Sequence, residues 1–308
     1  MNHLPLKNEV THPLTKLRVA SFYFAIVFVF IALLGLFTRG IELGLDFTGG
    51  YLTEFSTQES ISQENMTELL TEYLPDTFSV SSADKGTHWS VRQADKGISL
   101  PGKVWLTEFS QQHDLNITPQ DAIYIGSQVG EELINQGGLA LLAAIITVLM
   151  YLSLRFEWRL AAGAVLALFH DVIVVLGVFS WFGLSFDLTI LASLLAIIGY
   201  SLNDSIIVGD KIRELMKATK DENIDLLINK AIRLTIVRTL ITSGTTLATI
   251  LAIWFFAGDS LSGFSIALFT GILVGTFSSI AISATIPQLL GLTADYYQQK
   301  EDDICLLP

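Results

Sequence analysis

The sequence predicts an α-helical polytopic membrane protein, with six transmembrane helices and one small α+β domain between the first and the second. Three observations carry this reading. Hydrophobic residues make up 51% of the 308 and charged residues only 16%, far from the balance of a soluble globular domain. The apolar residues fall in six blocks, at 19–37, 138–154, 160–182, 186–208, 240–256 and 264–290, each long enough to cross a hydrocarbon core of roughly 30 Å. Between the first two blocks lies a polar stretch, 38–137, in which strand and helix periodicities alternate.

Taken in order, residues 1–18 form a polar tail and 19–37 the first span. That span is too long, and the segment after it too polar, for a cleaved signal peptide, so it is read as a retained helix. Within 38–137, residues 51–55 alternate like a strand. Ser62 is placed to cap a helix reaching 74, with Met66, Leu69, Leu70 and Tyr73 at helical spacing. Stretches 77–81 and 88–92 read as a strand pair. Pro101 opens a second helix with Val104, Trp105 and Phe109 on one face, and 122–125 form a last strand. The order β-α-β-β-α-β is that of a small ferredoxin-like domain. Five further spans fill 138–290, with a polar loop at about 209–238, and 291–308 form a second tail. Asp187 reads as the cap of span four, Gly271 and Gly275 as a small-residue packing face on span six, and Pro287 as the bend or end of that span.

Orientation follows from Lys and Arg. Lys7, Lys16 and Arg18 precede span one, Arg155 and Arg159 lie between spans two and three, and Lys211, Arg213, Lys217, Lys220, Lys230, Arg233 and Arg238 lie between spans four and five. The alternate short loops, at 183–185 and 258–262, carry none. Both termini are therefore expected in the cytoplasm and 38–137 on the far side, with Arg39 the one dissenting charge. That domain holds 15 acidic against 5 basic residues, most of the net charge of −12.

Ionisable groups inside a membrane are costly and default to functional roles. Asp204, in Gly199-Tyr200-Ser201-Leu202-Asn203-Asp204-Ser205, lies about one turn from the cytoplasmic end of span four, and Arg238 enters span five from the same side. Facing each other, they would offset each other's desolvation and form a proton site; a static ion pair that fixes helix packing is the other reading. Thr239, Thr242, Ser243, Thr246 and Thr249 give span five one hydroxyl face, suited either to ordering water for a proton or to bonding helices together. His170 and Asp171, near mid-depth of span three, form a relay or a packing element.

The negative charge excludes nucleic acid as a partner. Cys305, the single cysteine, can form neither an internal disulfide nor a thiolate cluster. Metal-protease, serine-hydrolase, Walker and dinucleotide motifs are missing, and no His, Cys and carboxylate set has metal-ligand spacing. The expectation is a protein that is not an enzyme, holds neither cofactor nor metal, and takes energy from an ion gradient or a partner ATPase.

Several motifs carry a resemblance: Gly44-Leu45-Asp46-Phe47-Thr48-Gly49-Gly50 after span one, Gly126-Ser127-Gln128-Val129-Gly130 before span two, the 199–205 segment with Asp210-Lys211-Ile212-Arg213-Glu214 after it, and Arg238-Thr239-Leu240-Ile241-Thr242-Ser243 opening span five. Over nearly its whole length the chain resembles the SecF proteins of the SecD/SecF family, bacterial protein-export membrane subunits of the resistance–nodulation–division (RND) superfamily. Gly209 and Lys211 stand where that pattern has an aromatic residue and Arg. The resemblance implies an inner-membrane partner of SecD, with a periplasmic domain, that uses the proton-motive force in late protein translocation after the SecYEG channel and the SecA motor. Its further implied partners are YajC, YidC and the translocating preproteins. It maps the coupling acid and arginine onto Asp204 and Arg238, to which Asn203, Thr242, Thr246 and Asp171 are added as candidate ion-coupling residues. Asp46, Phe47, Gly49 and Gly50 are read as a structural motif, a Gly-permitted turn where the chain enters the domain. Six spans with one exported domain also look like half of a two-repeat transporter. The alternatives are an RND-type ion-driven exporter of small solutes and a non-transporting scaffold. Proton and sodium coupling are not distinguishable from the residues.

Overall fold

Six helices of the computed structural model are long and apolar enough to cross a membrane. The structure describes residues 13–74, 78–83, 86–94, 102–113, 115–219, 223–256, 261–293 and 297. Lys7, Thr77, Lys96, Pro101, Lys220, Cys305 and the 258–260 part of the last short loop lie outside them. The chain runs α1 (Pro13–Arg39), α2 (Leu45–Thr48), β1 (Gly50–Thr57), α3 (Gln63–Tyr73), β2 (Phe78–Ala83), β3 (His88–Ala94), α4 (Gly102–Gln112), β4 (Ile117–Ile125), α5 (Ser127–Arg155), α6 (Trp158–Phe182), α7 (Leu188–Ala218), α8 (Ile224–Phe256), α9 (Ser262–Ala281) and α10 (Ile286–Leu289).

The four strands form one antiparallel sheet in the order β2-β3-β1-β4, the topology of a ferredoxin-like βαββαβ domain. Alternation puts Phe55, Trp89 and Val91 on one face, where Met66 and Leu70 of α3 and Trp105 and Phe109 of α4 close a dry core. The Ser62 hydroxyl accepts a hydrogen bond from Asn65 N at 3.3 Å, capping α3. β4 begins at Ile117, earlier than its alternation suggests, because Pro119 interrupts the pattern. The residue is tolerated because β4 is an edge strand, and the pairing with β1 shifts register beside it, between Thr53 and Phe55.

The helical spans outrun their apolar blocks. α7 continues to Ala218 and α8 begins at Ile224, so the segment read as a loop over 209–238 is mostly helix. A helix satisfies its own backbone with or without a membrane, and hydropathy marks only the part that meets lipid. The last span breaks instead of running to 290: α9 ends at Ala281, turns follow, and Pro287 sits in the first turn of α10, where its missing N–H is harmless.

α6, α7 and α9 pack as a trio at the centre, with α1 against α6 and α5 and α8 on the flanks. Small residues set the spacing. A Cβ on Gly271 would lie 2.4 Å from the Ile197 side chain, and one on Gly177 would lie 2.3 Å from Ala32, so α9 packs closely on α7 and α6 on α1. The end of the bundle where α1 begins is called here the tail side and the end at the sheet the domain side. Arg39, at the domain side, stacks over Trp181 at 5.2 Å and donates to its carbonyl at 2.9 Å.

Candidate functional site

One face of α7 places Ser201, Asp204 and Ser205 against α6 and α9, all nearly sealed from solvent. Asp171 of α6 is 0% exposed and accepts three bonds. His170 Nδ1 lies 2.9 Å from its Oδ1, and Ser201 and Ser278 hydroxyls donate to its Oδ2 at 2.5 and 2.9 Å. This ties α6, α7 and α9 together at a single carboxylate. A second chain of hydroxyls links α7, α8 and α9: Tyr200 donates to Ser243 at 3.1 Å, and Ser243 lies 2.7 Å from Thr276.

Asp204 differs from Asp171. It is 1% exposed, and neither carboxylate oxygen has a hydrogen-bond partner. Arg238 lies within electrostatic reach, yet forms no ion pair with it and projects from an exposed position on α8. Asn203 is exposed on α7 as well. A buried charge without a partner is costly, so Asp204 requires a proton or a group drawn in from outside. The stripe on α8 is partly closed on itself. Thr242 donates to Arg238 O at 3.1 Å and Thr246 to Thr242 O at 2.9 Å, the back-bonding that helix hydroxyls adopt when nothing better faces them. Thr239 is buried with its hydroxyl unpaired.

Of the candidate residues, Asp171 is thus gathered into a hydrogen-bonded cluster, in which His170 Nε2 is left unpaired, and Asp204 is buried with no hydrogen-bond partner. Asn203 and Arg238 are left on the outer surface, and Thr242 and Thr246 are half-buried. Sequence reasoning missed Ser278, Thr276 and the roles of Tyr200 and Ser201. The run of hydroxyls at Thr276, Ser278 and Ser279 in a membrane span was the available signal.

The 44–50 motif forms a joint at the domain side. Gly44 N donates to Phe186 O and Phe186 N to Glu42 O, both at 2.7 Å, and Phe47 stacks on Phe186. The Asp46 carboxylate accepts from Leu188 N at 3.1 Å while Asp187 accepts from Thr189 N and Ile190 N, so two acids satisfy the opening amides of α7. Gly49 and Gly50 have φ of 70° and 138°, and Gly130 of α5 lies so close that a Cβ would stand 2.4 Å from Phe47 O. The turn therefore also clamps the outer ends of α5 and α7 to the domain.

Comparison with known proteins agrees with this architecture. Residues 106–293 match the family model "Protein export membrane protein SecD/SecF, C-terminal", and residues 34–61 match the "SecD/SecF GG Motif". The protein translocase subunit SecF of Pseudomonas aeruginosa is 40% identical over 280 residues, covering 91% of each chain. That of Escherichia coli O157:H7 is 38% identical over 268, covering 85% of this chain and 83% of its own. A crystal structure of SecDF from Thermus thermophilus, described as a translocon-associated membrane protein, superposes with a TM-score of 0.80 at 29% identity over 93% of this chain. A super-membrane-facing form of SecDF gives 0.65 at 28% identity over 99% of this chain. The chain spans 40% and 41% of the length of those two SecDF chains. These matches are to translocase subunits of the membrane, and the chain belongs to the SecD/SecF family, among its SecF members.

Proposed function

We propose that the chain works with a SecD partner in the bacterial inner membrane, coupling the proton-motive force to late steps of Sec-dependent protein export. In this reading both termini are cytoplasmic and the sheet domain (38–137) is periplasmic, beside the SecYEG channel through which SecA drives preproteins; YajC and YidC are further candidate neighbours. The observation that supports it most is Asp204, a carboxylate sealed in a membrane-spanning helix with both oxygens unpaired. Arg238 and Asn203 face outward beside it, on a surface available to the remaining length of a SecDF-sized assembly.

The mechanism follows from charge. With Asp204 ionised, Arg238 is drawn toward it; once a proton neutralises the acid, that attraction goes and α7 and α8 are free to shift. Asp46 and Gly44 grip the domain-side end of α7, so a shift of α7 moves the domain directly. A potential of 100 mV supplies about 2.3 kcal/mol per charge moved, enough to bias a two-state element. Thr242 and Thr246 would line the proton's path after giving up their backbone bonds, with Asp171 as a relay toward the domain side. The test is preprotein export into inside-out vesicles holding the full complex, with proton and sodium gradients collapsed separately. Loss of gradient-stimulated export with a protonophore alone is expected; export indifferent to both would overturn the proposal.

A further inference from the structure

A crevice of about 520 Å³ opens toward the bilayer between α1, α8 and α9. Phe24 and Phe28 form one wall, Leu240, Gly244 and Leu247 the second, and Leu273 and Phe277 the floor. Among the described residues, α1 and α8 are bonded at their tail-side ends, where Arg18 meets Asp225 and Asn229 donates to Thr15, and beyond that latch the two helices leave a wedge. The crevice is dry by construction. Its only hydroxyls, Ser243 and Thr276, are bonded to each other, to Tyr200 and to Ile272 O, leaving no unpaired group to hold water. Apolar cavities of roughly 150 Å³ already take up benzene, and this one is larger and faces hydrocarbon. Gly244 keeps it open, since a Cβ there would meet nothing within 4 Å.

Charge identifies the occupant. Arg233, Val237, Leu240, Gly244 and Leu247 recur at steps of three and four, so they share one face of α8. Arg233 stands seven residues before Leu240, about 10 Å along the axis, at the tail-side rim. It is exposed and has no hydrogen bond or ion pair among the described residues, and neither has Lys16 near the start of α1. A partner helix would cross the membrane and want small residues on both walls, whereas Phe24 and Phe28 are bulky and the lining on α8 runs only from Leu240 to Leu247. We propose that this crevice is a binding site for an anionic phospholipid, one acyl chain lying against Gly244 and the phosphate paired with Arg233. The site is independent of the coupling proposed for Asp204 and requires only that the helices cross a bilayer.

The test is native mass spectrometry of the full-length chain, alone and with its co-purified partner half, after mild delipidation from bilayers of equal parts phosphatidylglycerol and phosphatidylcholine. Wild type should retain a phospholipid and favour phosphatidylglycerol. Arg233→Gln should lower that preference roughly fivefold, the ratio for about 1 kcal/mol per basic side chain at an anionic surface, and Arg233→Lys should keep it. Gly244→Leu, which fills the wedge at a position with space for a side chain, should lose the retained lipid, while Gly138→Leu on α5, equally unobstructed, should not. Retention by Gly244→Leu, or an unchanged preference in Arg233→Gln, would overturn the proposal. So would loss of the lipid whenever the partner half is bound, since a helix would then fill the crevice.

Discussion

Asp171 offers the sharpest energetic prediction, because every bond it makes is defined. Replacing it with Leu removes the acceptor for His170 Nδ1, Ser201 and Ser278 in a site with 0% exposure. Ser278 has a fallback, since it also donates to Gly275 O at 3.1 Å; no second bond is seen for His170 or Ser201. Two buried donors without partners at about 1–3 kcal/mol each give a destabilisation of about 2–6 kcal/mol. Asp171→Asn keeps the shape and one good acceptor, so it should cost less, about 1.5–3 kcal/mol for a lost charge-assisted bond. Because Ser201 and Ser278 share one oxygen, Ser201→Ala and Ser278→Ala should be non-additive by 0.5 kcal/mol or more in a double-mutant cycle, roughly the coupling of residues in one network. The assay is reversible unfolding of the full-length chain in mixed micelles, followed by tryptophan fluorescence. If Asp171→Leu unfolds at the wild-type midpoint, or the two serines add independently, the cluster does not hold the three helices together.

Gly50→Ala places a Cβ 2.1 Å from Gln93 O at a φ of 138°, a strain of about 1–3 kcal/mol before any clash. Hydrogen exchange over 50–57 should therefore quicken at least tenfold, while Gly126→Ala, whose Cβ meets only the Tyr124 ring at 3.9 Å, should leave it unchanged. At the tail side, Asp225→Asn should destabilise more than Arg18→Met. The first leaves a guanidinium whose side chain is 2% exposed with neutral acceptors alone, Gln288 Oε1 among them, and the second leaves an acid that is 29% exposed and reaches water. Thermal unfolding of both variants checks the order, and the reverse order would contradict it. Reporter fusions at Lys96 and Lys220 should read periplasmic and cytoplasmic respectively; the opposite pattern would invert the proposed orientation.

What was legible in the sequence was local. The Ser62 cap, the alternation in β1 and the apolar blocks each depend on neighbours within a turn or a strand, and the structure shows all of them. The start of β4 was hidden because Pro119 breaks the alternation without breaking an edge strand. Asp171 was visible as a buried acid beside His170, but its other two partners lie 30 and 107 residues away, a distance no periodicity spans. Asp204 and Arg238 were visible as charges in apolar helices, yet which face each presents depends on how α7 packs on α9, so their lack of an ion pair was not readable. The 44–50 motif announced a glycine turn. Its grip on the opening amides of α7 appeared only once Leu188 was brought beside Asp46.

In the proposed mechanism the gradient acts at the isolated carboxylate of Asp204 rather than at the hydrogen-bonded one of Asp171. The most direct measurement is gradient-stimulated preprotein export by the reconstituted complex carrying Asp204→Asn, with insertion and partner binding verified on the same sample. Normal assembly with the gradient-dependent component of export lost is expected, and only partial loss in Arg238→Lys, which keeps the charge but not the planar fork. Export by Asp204→Asn at the wild-type rate under a full gradient would contradict it and leave Asp204 a packing residue.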